Sequence, residues 1–181
     1  KVADISASKS DLLRLMEVNA LLSIPLLKDG IVVGLETLQQ AMKKTKYENP
    51  VFLMAGGFGT RLKPLTDNCP KPLLKVGSKP ILENILETFV AVGFHRFYIS
   101  THYMPEMIEE YFGNGERLGV QINYLREESP LGTAGALGLL NPFPDAPFVV
   151  TNGDVITDIR YGELLDFHTK HAAAATMAVR I

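Results

Sequence analysis

From Pro50 onward, wholly apolar runs alternate with stretches of helical spacing, and few architectures satisfy that alternation. PVFLMA (50–55) is the pattern of a strand covered on both faces, as in a parallel sheet. Over 81–92, Leu82, Ile85, Leu86 and Phe89 form one helical stripe, and Gly93 supplies a stop. RFYIST is the next strand. A helix opens at Pro105, carries Ile108, Tyr111 and Phe112, and ends at Gly113. VQINYL is a strand, TAGALGLL a short helix, PFVVTN a strand, GELLDFHTKH a helix, and AAAATMAVRI the start of one more strand. The pattern predicts an α/β fold with an open, mostly parallel sheet and right-handed crossovers. In such sheets ligands bind beyond the carboxyl ends of the strands.

Residues 1–48 have a different character. Ser8 reads as a helix N-cap followed by Leu12, Leu15, Met16 and Asn19 at helical spacing. SIPLL and IVVGL flank the turn Lys28-Asp29-Gly30 as a hairpin, and ETLQQAMKKT is a second helical stretch. The polar segment KKTKYENP ends in Asn-Pro, where helix is disfavoured. It separates a small α+β region, 1–48, from the α/β region, 49–181.

The steepest change of chemistry comes directly after PVFLMA, in Ala55-Gly56-Gly57-Phe58-Gly59-Thr60-Arg61. Three glycines in four positions let the backbone curl with its amides inward and no Cβ to keep a phosphate away. Arg61 adds a planar fork suited to phosphate oxygens. Lys71, between Pro70 and Pro72, is a second cation on a stiffened approach, and Pro64 constrains the exit of the loop. Spacing excludes two common phosphate loops. No G-x-x-x-x-G-K-[ST] string occurs. Gly57-x-Gly59 is followed at the third glycine position of a dinucleotide fingerprint by Leu62, which argues against an oxidoreductase.

Two further segments sit where the crevice is expected. Asn152-Gly153-Asp154 follows PFVVT, so Asp154 stands at a strand's carboxyl end, where a carboxylate suits Mg²⁺; Asn-Gly-Asp is equally ordinary turn chemistry. Glu127-Glu128-Ser129-Pro130-Leu131-Gly132-Thr133-Ala134-Gly135 offers small residues against which a flat base can lie, and a carboxylate that can accept guanine's N1–H and exocyclic amine. His102 ends RFYISTH near the same crevice. His95, His168 and His171 show no metal-ligand spacing and read as solvated, and Glu109-Glu110 reads as an exposed helix face.

Charge and composition restrict partners. The formal net charge is −2, without the basic excess of a nucleic-acid-binding protein, so an anionic substrate must be held by a few placed cations. Cys69 is the only cysteine, which rules out an intrachain disulfide and favours a reducing, cytoplasmic setting. No apolar run approaches the ~18–20 residues of a membrane span. The first residue is Lys1, with no secretory pattern behind it, and the sequence stops inside an apolar run. Both ends read as cuts through a longer protein.

LMAGGFGTRLKPLTDNCPKPLLKVGSKPIL closely resembles the N-terminal motif of the sugar-1-phosphate nucleotidyltransferases. The resemblance implies a Rossmann-like sheet of the nucleotide-diphospho-sugar transferase type, truncated at its C-terminus. It also implies transfer of a nucleoside monophosphate from an NTP to a sugar-1-phosphate, with Mg²⁺. On that resemblance Arg61 and Lys71 are catalytic. Ala55, Gly56, Gly57, Gly59, Thr60, Glu127, Gly132 and Thr133 bind the nucleotide, and Asp154 holds the metal. EESPLGTAG is most similar to the base-binding segment of mannose-1-phosphate guanylyltransferases, which implies GTP. Members of the family usually supply a second metal carboxylate and most sugar contacts from a later segment. The alternative is a catalytically silent nucleotide-binding module.

SIPLLKDGIVVGLETLQQAM resembles the closing half of a cystathionine-β-synthase-type (CBS) domain, which implies an adenine nucleotide as regulator and an oligomer. Such domains commonly carry G-x-x-T-x-x-D, and here Gly34-Leu35-Glu36-Thr37-Leu38-Gln39 is followed by Gln40.

Overall fold

The structure, a computed structural model, describes residues 1–42 and 46–179. The chain divides into two compact units, Lys1–Thr45 and Lys46–Ile181. In the first, β1 (Ala3–Asp4) pairs in parallel with β2 (Ser23–Lys28), which forms an antiparallel hairpin with β3 (Ile31–Thr37). Helix α1 (Lys9–Val18) connects β1 to β2, and α2 (Leu38–Met42) follows β3. Ser8 caps α1 as its sequence indicates, its Oγ accepting the Asp11 N–H at 3.2 Å. Met16, Ile24 and Ala41 form the buried centre of this unit. The helical stretch expected over 36–45 is narrower: residues 36 and 37 belong to β3, and 43–45 lie outside the described residues.

The second unit is a four-stranded, wholly parallel sheet in the order β8-β7-β4-β9. Its strands are β4 (Val51–Met54), β7 (Arg96–Thr101), β8 (Gln121–Arg126) and β9 (Val149–Asn152). A two-residue hairpin of β5 (Lys75–Val76) and β6 (Lys79–Pro80) precedes helix α3 (Ile81–Val92). Helices α4 (Pro105–Phe112) and α5 (Tyr161–His171) complete the α/β alternation. Gly93 ends α3 with φ 109°, where its N–H reaches the Phe89 and Val90 carbonyls. Tyr47, from the polar segment, stacks on Phe94 at 4.6 Å and forms a bridge to it, so it belongs to the sheet unit.

Period-two alternation along the strands separates two faces. Val51, Leu53, Phe97 and Ile99 point to the main core, with Leu82, Leu86 and Phe89 of α3, Ile108 and Phe112 of α4, and Leu165 of α5. Phe89, Phe94 and Phe97 are fully buried in it, each contributing on the order of 2 kcal/mol through burial. The opposite face carries Phe52, Met54 and Tyr98 under a thinner cover that includes Ala136 and Leu140. The expected short helix of TAGALGLL is a 3₁₀ turn over Gly135–Leu139. The strand expected from 172 onward is not present in the described residues 172–179, which pair with no other strand. An apolar run alone cannot make a strand without a hydrogen-bonding neighbour. No helix among the described residues is long and apolar enough to cross a membrane.

Two histidine and acid expectations change. His95 is not solvated: its side chain is 18% exposed and Nε2 lies 3.3 Å from Glu48. Glu109 is no free surface acid, because Arg126 grips it with Nε and Nη2, both at 2.7 Å. Glu83, in the first turn of α3, is buried and accepts hydrogen bonds from Tyr111 (2.6 Å) and Arg117 (3.1 Å). Burial alone would raise its carboxyl, but these two partners outweigh burial and hold it below the ordinary value of 4.5. Glu83→Gln should therefore cost about 1–2 kcal/mol at neutral pH, read from urea unfolding. Since the folded value is the lower one, this contribution is complete above the ordinary glutamate range and fades as pH falls through the folded value. Wild type and variant should converge in acid.

Candidate nucleotide site

The chain order of the sheet reverses at β4: β7 and β8 lie to one side, and β9 to the other. A crevice opens at such a switch point beyond the carboxyl ends. Here it is a cavity of about 430 Å³, lined by the end of β4, the glycine loop, Lys71, the 127–136 segment and the residues after β9.

The glycine loop leaves β4 at Ala55, whose N–H donates to Ser100 O at 3.1 Å. Gly56, Gly57 and Phe58 line the cavity, as does Arg61. Arg61 is exposed and makes no ion pair among the described residues, so its guanidinium is available to an anion. Gly59 does a different job. Its φ of +64° turns the chain, and its carbonyl accepts from Leu62 N and from Thr66 Oγ1 at 3.0 Å. A Cβ there would meet Thr66 Cγ2 at 2.9 Å. Thr66 is buried, and its carbonyl lies 3.1 Å from the Tyr103 hydroxyl, which pins the loop to the segment after β7. Gly59 and Thr60 therefore shape the loop, and neither lines the cavity.

Lys71 heads a 3₁₀ turn over Lys71–Leu73, with Pro72 buried beneath it. Its Nζ stands 2.5 Å from Asp154 Oδ2, with the two side chains 32% and 35% exposed. Asp154 can approach because Gly153 lies flat on β4: its N–H donates to Met54 O at 2.7 Å, and a Cβ would meet Ala55 Cβ and Met54 O at 3.1 Å. Among the described residues no group of three or more His, Cys, Asp or Glu side chains gathers to hold a metal.

The other end of the cavity is built from Glu127 to Ala136. Glu127 Oε2 accepts the Leu131 N–H at 3.0 Å, while Oε1 lies where a Cβ on Gly56 would stand, 2.5 Å from it. His102 Nδ1 lies 2.7 Å from the Glu127 carbonyl; since a carbonyl only accepts, that nitrogen carries the proton. The ring of Phe58 meets His102 edge-on at 5.0 Å, so the histidine touches the glycine loop and the acidic loop together. Ala134, at φ +62°, directs its N–H to Met54 Sδ at 3.2 Å. A non-glycine residue in that region costs about 1 kcal/mol, and here it lies in the turn between the cavity-lining Thr133 and Ala136.

Comparison with known proteins now decides the family. The family model described as Nucleotidyl transferase matches residues 51–181. The chain belongs to that family. A mannose-1-phosphate guanyltransferase of Candida albicans is 42% identical over 129 residues, which are 69% of this chain and 36% of that protein. The mannose-1-phosphate guanylyltransferase of Mycobacterium tuberculosis is 39% identical over 126 residues, 69% of this chain and 35% of that one. The chain thus spans about a third of the length of the curated relatives it matches. Among solved structures, HddC from Yersinia pseudotuberculosis complexed with GMP-PN superposes with a TM-score of 0.59 at 29% identity, over 66% of this chain and 54% of that one. A UDP-glucose pyrophosphorylase complexed with UDP-glucose has the same fold, with a TM-score of 0.57 at 22% identity over 68% and 54%.

In this nucleotidyl transferase, Ala55, Gly56, Gly57, Arg61, Lys71, Glu127, Gly132, Thr133 and Asp154 all line one cavity, although they span a hundred positions of sequence. Asn152 of the Asn152-Gly153-Asp154 string lines it too, as do Met54 and Ser100, which sequence spacing did not single out. Their signal was positional: each ends, or nearly ends, a strand of the parallel sheet. Gly56→Ala should push the Glu127 carboxylate away from Leu131 and lower nucleotide affinity about tenfold, measured by calorimetric titration. Unchanged affinity would mean that this carboxylate does not shape the site.

Proposed function

We propose that this site binds a nucleoside triphosphate and a sugar-1-phosphate and joins them as a nucleotide-sugar with release of pyrophosphate. The observation that carries the reading is the meeting of Lys71 and Asp154 at 2.5 Å beside the glycine loop. It puts one cation and one carboxylate together in the cavity that the glycine loop lines. GTP is the triphosphate we favour, supported by the names of the guanylyltransferase relatives and by the GMP-PN complex of HddC. The solitary cysteine goes with a cytoplasmic setting.

A sugar phosphate has a second pKa near ~6, so at neutral pH its oxygen is already a nucleophile and needs no general base. That oxygen attacks the α-phosphorus, the bond from the α-phosphorus to its β-bridging oxygen breaks, and pyrophosphate leaves with the electron pair. The difficulty is bringing two anions into line. Charge placement and positioning therefore carry the rate. Amides of the glycine loop and Arg61 hold the triphosphate, and Lys71 serves the α-phosphate and the incoming phosphate. Asp154 fits a Mg²⁺ ligand, because that ion needs only one or two carboxylates beside substrate phosphates and waters. When bound, the ion would neutralise phosphate charge.

The first unit is better read as a structural or dimerising appendage than as an adenine-nucleotide site. Thr37 and Gln40 form a capping box: Gln40 Oε1 accepts Thr37 N–H at 3.0 Å, and Thr37 Oγ1 accepts Gln40 N–H at 3.2 Å. The residue standing where related motifs carry a ribose-binding acid is thereby engaged in ending a strand and starting a helix.

Pyrophosphate release by the intact protein over a grid of NTPs and sugar-1-phosphates tests the reaction; no release with any pair would leave a silent binding module. Arg61→Ala should slow turnover on the order of 10²–10³, the loss of one preorganised donor, and Lys71→Ala similarly. Asp154→Asn should raise the Mg²⁺ concentration needed for half-maximal rate. A variant with the wild-type requirement and rate would remove Asp154 from the metal site.

A further inference from the structure

Strand register lays out the floor of the cavity. Asn152 of β9 pairs with Met54 of β4, Met54 with Ser100 of β7, and Ser100 with Leu125 of β8. Paired residues share a face of the sheet, so these four form a row that crosses it just below the carboxyl ends. Asn152 stands at the Lys71–Asp154 end. Ser100 stands on the other side of Met54, toward the segment whose Ala134 N–H is bonded to Met54 Sδ.

Ser100 is 1% exposed and lines the cavity, and its Oγ has no hydrogen-bond partner among the described residues. Buried hydroxyls are nearly always paired, so one left unpaired in a cavity wall requires an explanation. Thr101 offers a contrast. Its Oγ1 is also buried without a partner, but it does not line the cavity, and alternation along β7 turns it to the helix-covered face with Ile99.

We infer that the Ser100 hydroxyl is a base-contacting group, donating a hydrogen bond to the carbonyl oxygen on the edge of guanine. The inference rests on the nucleotide reading above and concerns how the same site chooses its base. Met54 and Ala136 give the neighbouring wall an apolar surface suited to the flat of a purine. Glu127, which lines the same cavity, can only accept when ionised. A hydroxyl donor and a carboxylate acceptor together match an edge that carries one carbonyl and adjacent N–H groups. Met54 separates Ser100 from the Asn152 end of the row, where Lys71 and Asp154 stand, so the inferred contact concerns the base and not the phosphates.

Ser100→Ala removes the hydroxyl with almost no change of volume, and Thr101→Val is the matched control on the other face. In the intact protein, Ser100→Ala should weaken GTP binding on the order of tenfold and lower kcat/KM for GTP relative to UTP and ATP. Inhibition by inorganic tripolyphosphate, which has no base, should stay at the wild-type level. The melting temperature of the ligand-free variant should not fall, because no hydrogen bond within the protein is lost, while the upward shift produced by GTP should shrink. Thr101→Val should leave GTP affinity unchanged. Wild-type GTP binding in Ser100→Ala would overturn the inference. So would equal weakening of GTP and tripolyphosphate, which would make Ser100 a structural residue. If the wild type itself released pyrophosphate from no NTP, the nucleotidyl transfer reading would fall first, and the base contact with it.

Discussion

Strand β4 is hydrogen-bonded along both edges, to β7 and to β9, and the position of every group in the site follows from that. A parallel strand in the middle of a sheet has no freedom of register, because a slip of one residue would carry Val51 and Leu53 out of the main core. The strand therefore delivers its last residue, Met54, to a fixed height. Ala55 follows with its N–H on Ser100 O, and Gly153 arrives from β9 with its N–H on Met54 O. Two loops from different parts of the chain are thus fixed against one strand end by single backbone bonds. The four-residue β4 is short, yet the glycine loop leaves from it, the turn that carries Asp154 is bonded to it, and the Ala134 segment is anchored on it.

Glycine placement is a second consequence of that geometry. Gly56 and Gly153 are not interchangeable flexible residues; each marks a place where another chain segment comes within Cβ distance. At Gly56 the neighbour is the Glu127 carboxylate, held in turn by the Leu131 N–H. At Gly153 it is β4 itself. Gly59 is the conformational case, where a positive φ and the buried Thr66 leave no room for a side chain. The GGFG string therefore contains two kinds of constraint, close approach and backbone sign, and only its first two glycines and Phe58 face the cavity.

Much of this was legible in the sequence because local signals and tertiary demands agree. Strands β4, β7 and β8 are apolar enough to be read directly, and Gly93 and Gly113 stop α3 and α4 where periodicity ends. The cavity residues carried by the glycine motif and by Asn152-Gly153-Asp154 were legible for a different reason: those strings restrict residue type as well as position, directly after apolar strands. What escaped depends on pairing across the chain. Ser100 looks like any strand residue until register sets it beside Met54. His95 and Glu109 look solvated until Glu48 and Arg126 are brought to them from distant positions. Residues 172–179 show the converse, an apolar run with no strand beside it.

The Lys71–Asp154 pair bears on how a chain with net charge −2 can gather anions. With its side chain 32% exposed, Lys71 gives up part of its hydration on folding, a cost that a lone lysine there would bear without compensation. Pairing with Asp154 offsets that cost and points the ammonium into the cavity mouth. The same pairing neutralises the carboxylate, so the cradle of loop amides and Arg61 does not face an uncompensated negative charge. In the reaction proposed above, a triphosphate would change the balance: its phosphate oxygens would compete with Asp154 for the ammonium, and the carboxylate released from lysine would be free to turn toward a cation that travels with the phosphates. Each charge then exchanges one partner for another of the same sign, and neither has to be stripped of partners on the way. Such an exchange would let a few placed cations do what a broad positive surface does in nucleic-acid-binding proteins, without drawing every polyanion to the site.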